Sequence, residues 1–172
     1  MALRNIRISG DPILEKVCKP VKEMNERTKD LINDMLETMY DSRGVGLAAP
    51  QVGVLKRICV IDITPDGSDP HVFINPEIIE RSEEKQTGYE GCLSLPGKSG
   101  VVTRSMKVKV KALDINMESF IMEGEELMAR AMQHEIDHLD GNMYMRLVER
   151  EIYDNSELFG DEEEESEDGE NE

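Results

Sequence analysis

Tryptophan is absent from this chain of 172 residues, and three Phe and four Tyr supply all the aromatic rings. With 38% apolar residues the core must be modest and mainly aliphatic, and eleven Met are available to fill irregular gaps. No run of about 18 apolar residues occurs, so no membrane-spanning helix is expected. Cysteine is scarce and odd in number: Cys18, Cys59 and Cys92 have no close-spaced partners and make no disulfide framework. That usage fits a reducing compartment, and a cytoplasmic protein is the expectation. Positive charge is short as well. Twenty Lys and Arg face 37 Asp and Glu, a net charge of −17, which argues against a DNA-binding or anionic-membrane surface. The opening MALRNIRISGDP meets charge and a turn before any apolar segment develops, so no secretory signal is expected.

Histidine is limited to three, and two of them carry the clearest chemistry. In Gln133-His134-Glu135-Ile136-Asp137-His138, the histidines stand four apart and share one helix face, where both rings can reach one metal ion. Glu135 lies between them. This H-E-x-x-H arrangement belongs to metal-dependent hydrolases, with two imidazole ligands and a carboxylate that moves protons for an activated water. The bland alternative is a polar helix that happens to carry two histidines.

The rest of the chain reads as one α+β domain. Residues 3–8 alternate weakly as a first strand, and Asp11-Pro12 resembles an N-cap with Pro at the first helical position. From Asn25 to Gly44, Leu31, Ile32, Met35, Leu36 and Met39 recur with helical period, which predicts a long N-terminal amphipathic helix. GVGLAAPQVG (44–53) suits a loop in close backbone approach to a strand or a ligand, and Gln51 is its one strongly hydrogen-bonding side chain. RICVIDI (57–63) is a buried strand with Cys59 turned inward. HVFINPEII is a second strand, interrupted by Pro76 at a sheet edge or bend, and His71 there reads as an ordinary exposed or capping histidine. EGCLSLPG (90–97) presents Cys92 in a tight loop, with Pro96-Gly97 as the turn; taken alone, the thiol is a small buried hydrophobe or a ligand. KVKVKAL (107–113) alternates as a half-exposed strand, Ser119 to Met122 follows, and Glu125 opens the histidine-bearing helix, which Gly141 ends. Small mixed or antiparallel sheets packed around that central helix are the expected architecture. Residues 1–147 are the expected catalytic domain and 148–160 an extension with helical potential. Residues 161–172, with nine acids and no Lys or Arg, are a disordered tail.

A catalytic site of this type needs a third protein ligand and one open position. HEIDHLDGNMY follows the extended peptidase pattern as far as Gly141, but Tyr144 stands where a third histidine would be. No histidine follows His138, so a downstream ligand could only be an acid such as Glu149 or Glu151. Upstream, Cys92 is the alternative, since a thiolate suits Zn²⁺ or Fe²⁺.

GVGLAAPQVG, EGCLSLPG and QHEIDHLDG, in that order, resemble the three signature motifs of the peptide deformylases, and the similar layout runs over roughly residues 3–147. The resemblance implies removal of the N-formyl group from the initiator formylmethionine of new proteins, with release of formate. It implies Cys92, His134 and His138 as metal ligands with water as the fourth, and Glu135 as general base and proton shuttle. Gln51 and the backbone N–H of Leu93 would stabilise the oxyanion. A substrate would pair as an added strand with Val45, Gly46 and Gly91, and its methionine would lie against Leu127 and Ala131. The stem of Arg130 is expected to pack on that wall while its guanidinium reaches water. One divalent ion is implied, Fe²⁺ in the cell with Ni²⁺, Co²⁺ or Zn²⁺ accepted. The implied partners are formylmethionyl nascent peptides, with transient ribosome contact through some surface other than the acidic tail. A zinc endopeptidase and a non-catalytic, metal-stabilised interaction protein are the competing readings.

Overall fold

The computed structural model describes residues 2–149 and 153–156. They form an α+β fold of antiparallel sheets and two α-helices, α1 (Glu26–Asp41) and α2 (Glu126–Leu139). Five strands, β1 (Gly46–Ala48), β2 (Ile58–Ile61), β3 (His71–Arg81), β6 (Lys107–Leu113) and β7 (Ser119–Glu125), build one sheet in the order β1-β2-β3-β6-β7. A smaller sheet has the order β4-β5-β8, from β4 (Lys85–Cys92), β5 (Leu95–Ser105) and β8 (Tyr153–Asp154). Every strand pairing in the two sheets is antiparallel. No helix among the described residues is long and apolar enough to cross a membrane.

β2 shows how the core is divided. All four of its residues are buried, because the sheet is covered on both faces. Ile58 and Val60 point to one side and join Leu31, Ile32, Met35 and Met39 of α1. Cys59 and Ile61 point to the other and join Ala129, Met132 and Ile136 of α2. A strand has period two and a helix a period near 3.6, so each helix presents one stripe to one sheet face. Each large aliphatic side chain sealed in this way contributes roughly 1.5–3 kcal/mol. The opposite side of α2 turns Arg130, Gln133 and His134 toward β4 and β5.

Local signals account for the element ends. Asn25 caps α1, its side chain accepting from the Thr28 N–H at 2.9 Å, and Arg43 just past the helix takes a left-handed φ of 57°. Asp11 likewise accepts from the Ile13 N–H, but the helix it caps is a single 3-10 turn, Pro12–Glu15. Glu125 is the N-cap of α2, and Gly141 closes that helix at φ 79°.

Several details differ from the expectations drawn from sequence. Residues 3–8 form no strand; the segment is tied down by Arg7 N–H to Gln51 O and Ser9 N–H to Ser94 O. The stretch 44–53 is not all loop, because it supplies edge strand β1 and the 3-10 turn Ala49–Val52. β3 is the middle strand of its sheet rather than an edge. Pro76 is accommodated by a register shift between Ile74 and Glu77, with Asn75 at φ 50° bonding the Val21 backbone through both side-chain ends. The β4–β5 turn falls at Leu93-Ser94, and Pro96-Gly97 lies inside β5. In the extension, Tyr153–Asp154 is a strand paired with β5; residues 150–152, 157–160 and the acidic tail 161–172 lie outside the described residues.

Gly141 and Gly97 both have positive φ, yet a Cβ at Gly141 would meet the Glu15 carbonyl oxygen at 2.6 Å and one at Gly97 meets nothing within 4 Å. Gly97→Ala is therefore expected to lower the unfolding free energy by about 1 kcal/mol, the conformational cost alone. Gly141→Ala should cost about 2–3 kcal/mol, since backbone must also move. Urea titration of both variants tests the difference, and equal losses would refute it.

Candidate active site

The site lies where the two sheets present unpaired edges to each other. β1 is an edge of the larger sheet and β4 an edge of the smaller one, and α2 forms the floor between them. A cavity of about 470 Å³ opens there. From the β1 side it is lined by Val45, Gly46 and Gln51, from the β4–β5 turn by Gly91, Cys92 and Leu93, and from α2 by Leu127, Arg130, Ala131, His134 and Glu135. His138, 1% exposed, sits behind Cys92. Residues distant in sequence thus share one cleft.

Three ligand atoms converge in it. His138 Nε2 lies 3.2 Å from His134 Nε2 and 3.3 Å from Cys92 Sγ, and all three atoms are within 4.8 Å of one another. Two ligand nitrogens about 2.05 Å from a tetrahedral ion would stand about 3.3 Å apart, so the spacing fits one metal ion. Cys92 comes from the last residue of β4, the histidines from successive turns of α2. Tyr144 stacks its ring on His134, with centroids 5.8 Å apart, and is no part of the cluster. Glu149 is exposed and outside it too, while Glu151 is not among the described residues.

A buried carboxylate that the sequence pattern did not single out organises this arrangement. Glu90, two residues before Cys92, points from β4 into the space above α2. Its Oε1 accepts from His134 Nδ1 at 2.5 Å and Arg104 Nη2 at 2.6 Å. Its Oε2 accepts from Arg104 Nε at 3.1 Å and Arg130 Nη1 at 2.8 Å. Arg104 extends the network to Asp137 at 2.6 Å. Burial by itself raises the pKa of Glu90, but the hydrogen bonds and charges of His134 and Arg104 outweigh it and hold the carboxyl well below its ordinary range. With Nδ1 of His134 committed to Glu90, Nε2 is turned to the ligand cluster, the usual outer-shell arrangement around a metal-binding histidine. Burial and the charge of His134 push the pKa of His138 down and favour its neutral ring. At His134, burial is outweighed by the hydrogen bonds of Cys92 and Glu90, which hold the pKa well above its ordinary range, so a metal arriving there would displace a proton from Nε2.

Arg130 departs from expectation. Its guanidinium does not reach water but turns inward to Glu90 and the Val102 carbonyl, leaving the residue 8% exposed. A nearby anion that needs cationic partners outweighs the usual preference of the head group for solvent.

Glu135 and Gln51 complete the cleft. A Cβ at Gly46 would lie 2.6 Å from Glu135 Oε1, so only glycine lets β1 run beside that carboxylate. Glu135 Oε2 is buried and has no hydrogen-bond partner among the described residues. Burial, reinforced by the charges of Glu90 and Asp137 and opposed by His134, raises its pKa to about 7. Gln51 Oε1 accepts from the Ala48 N–H at 2.9 Å, which aims Nε2 at Ser94 Oγ, 3.1 Å away, and Cys92 Sγ, 3.5 Å away. Its amide nitrogen therefore stands in the cleft wall, with Ser94 Oγ and Cys92 Sγ as its acceptors.

The fold and the site together define a hydrolase with a place for one metal ion, built on an H-E-x-x-H helix and a thiol. More narrowly, the chain belongs to the peptide deformylase family: the family model described as polypeptide deformylase matches residues 3–151. The peptide deformylase of Lachnoclostridium phytofermentans is 58% identical over 164 residues, covering 95% of this chain and all of the relative. Among solved structures, a peptide deformylase from Legionella pneumophila superposes with a TM-score of 0.83 at 47% identity, covering 86% of each chain. A Met-Ala-Ser-bound class I type b peptide deformylase from Acinetobacter baumannii does so at 0.81 and 35% identity, covering 86% of this chain and 99% of that one.

Glu90 and Glu135 imply opposite pH dependences. The folded-state pKa of Glu135, about 7, lies above its ordinary 4.5. Its contribution to stability is therefore full below pH 4.5 and is lost as pH rises through about 7. For Glu90, whose folded pKa is depressed, the contribution is present above the ordinary 4.5 and is lost as pH falls. In metal-free protein, Glu135→Gln should gain stability relative to wild type as pH rises from 4.5 to 8, whereas Glu90→Gln should lose its deficit on acidification. Thermal melts across pH check both, and parallel curves for wild type and Glu135→Gln would refute the first.

Proposed function

We infer that this protein hydrolyses the N-formyl group of formylmethionyl peptides, yielding formate and a free α-amine. The observation that carries the reading is the convergence of Cys92 Sγ with the Nε2 atoms of His134 and His138 beside the buried carboxyl of Glu135. The catalytic domain is taken as residues 1–147, with 148–160 as its extension and 161–172 as an acidic tail, and α2 is the helix around which the chemistry is arranged.

Cys92, His134 and His138 would hold one divalent ion, which when bound supplies Lewis acidity to water and to the formyl oxygen. A thiolate with two imidazoles suits Fe²⁺ or Zn²⁺, with Ni²⁺ and Co²⁺ as further occupants. Glu135, with a pKa near 7, is suited to both halves of a proton transfer at neutral pH. It takes a proton from the attacking water and delivers it to the leaving amine. Attack on the formyl carbon puts negative charge on its oxygen, and Gln51 Nε2 with the Leu93 N–H would donate to it.

The unpaired edges of β1 and β4 suit an extended peptide, which would bond backbone with Val45, Gly46 and Gly91. The tripeptide named for the Acinetobacter structure begins with methionine, in keeping with this assignment. Leu127 and Ala131 give the methionine side chain an apolar wall, and Arg130 borders it. The substrates are nascent chains leaving the ribosome in the cytoplasm, and any ribosome contact uses a surface other than the acidic tail, which ribosomal RNA would repel.

Metal-replete protein should release formate from formyl-Met-Ala, lose the activity to a chelator and regain it with Fe²⁺ or Ni²⁺. Absence of formate from metal-replete protein would sink the reading. Cys92→Ala should lose metal by elemental analysis. Gln51→Ala should keep metal and lose roughly 10²–10³ in kcat, the usual cost of one oxyanion donor. Glu135→Ala should keep metal and melting temperature but lose turnover.

A further inference from the structure

The buried guanidinium of Arg130 has more donors than the fold uses. It stands four residues before His134 on α2 and lines the same cavity. Nη1 bonds Glu90 Oε2 at 2.8 Å and the Val102 carbonyl at 3.1 Å, and Nη2 has only the Gln86 carbonyl, at a long 3.5 Å. Those are three acceptors for five N–H groups among the described residues, on a side chain 10% exposed.

The ion pair with Glu90 accounts for Nη1, but a pocket meant for a thioether alone has no use for the donors that remain on Nη2 and Nε. Thioether sulfur is a weak acceptor, and an aliphatic side chain would complete the wall better. Methionine sulfoxide has nearly the same shape and a strong acceptor oxygen. In a wholly apolar pocket that oxygen would lose its water without replacement, whereas a guanidinium N–H can receive it. On the basis of the deformylase reading, we propose that Arg130 is a specificity-determining residue that lets the site deformylate chains whose initiator methionine has been oxidised to the sulfoxide. The reaction is unchanged: water adds across the formyl C–N bond, formate leaves, the amine takes a proton, and the sulfoxide is neither reduced nor formed.

The test compares kcat/KM for formyl-Met(O)-Ala and formyl-Met-Ala in nickel-loaded enzyme, as a ratio within each protein, so that partial loss of folded enzyme cancels. Wild type should process the two within about tenfold of each other. Arg130→Leu should lower the ratio roughly tenfold to a hundredfold, the range for a hydrogen bond to a charged group. Arg130→Gln, which keeps an amide donor in the wall, should recover part of it and covers the case in which the leucine variant does not fold. Calorimetry with N-acetyl-Met(O)-Ala and N-acetyl-Met-Ala, which carry no formyl group, should show the same loss of relative affinity. Equal ratios in wild type and both variants, or wild-type rejection of the sulfoxide by more than a hundredfold, would overturn the proposal. Absence of formate from formyl-Met-Ala would instead strike the deformylase reading, while the N-acetyl titrations still report on Arg130.

Discussion

A carboxylate sealed inside a protein is tolerable only where cations and donors replace its water, and Glu90 is such a group. It gathers Arg104 from β5, Arg130 and His134 from α2, and its own strand β4 around one charge. Removing any partner would leave charge uncompensated in a dry interior, so the four groups hold one another in register. The smaller sheet is thereby clamped to α2, and the geometry of His134 depends on a residue that is not itself a ligand. Cys92 lies two residues beyond Glu90 on the same strand, so the clamp also sets where the thiol arrives.

Around this centre the two sheets stop short of each other. Both edge strands are left unpaired at the cleft, and glycine keeps the approach open: Gly46 admits the Glu135 carboxylate, and Gly44 would meet Leu93 at 2.6 Å if it carried a Cβ. An unpaired edge is ordinarily a liability in a folded protein. Here the edges face a cavity lined by Arg130, His134 and Glu135 of α2, and the same backbone groups that invite aggregation elsewhere are the ones the proposed function assigns to an extended peptide. Burial has a parallel effect on Glu135, since the desolvation that costs stability above neutral pH also brings its proton affinity into the range that its proposed acid–base role requires.

Local patterns were legible wherever they were decided locally. Asn25 as a cap, the period of Leu31, Ile32, Met35 and Met39, the alternation of KVKVKAL and the stop at Gly141 all depend on near neighbours in the chain. Sequence patterns failed where distant partners intervened. Pro76 suggested an edge or a bend without choosing between them, and the bend is what forms, in a central strand where Asn75 is anchored to Val21, 54 residues away. Arg130 was expected to reach water because side-chain chemistry favours it, and the buried anion from β4 reversed that preference. Glu90 opens the EGCLSLPG motif, but its role requires knowing that β4 pairs with β5 and that both cover α2.

By itself, the sequence determined which chemistry was available. The four-residue spacing of His134 and His138 places two imidazoles on one helix face whatever the rest of the chain does, because helix geometry is local. The lack of any later histidine likewise limited where a third ligand could originate. Only the tertiary structure decided that Cys92 Sγ meets those rings, that Glu90 orients one of them, and that Arg130 turns inward. Those facts depend on strand pairing and on the shared burial of charges far apart in the chain, which no local period encodes.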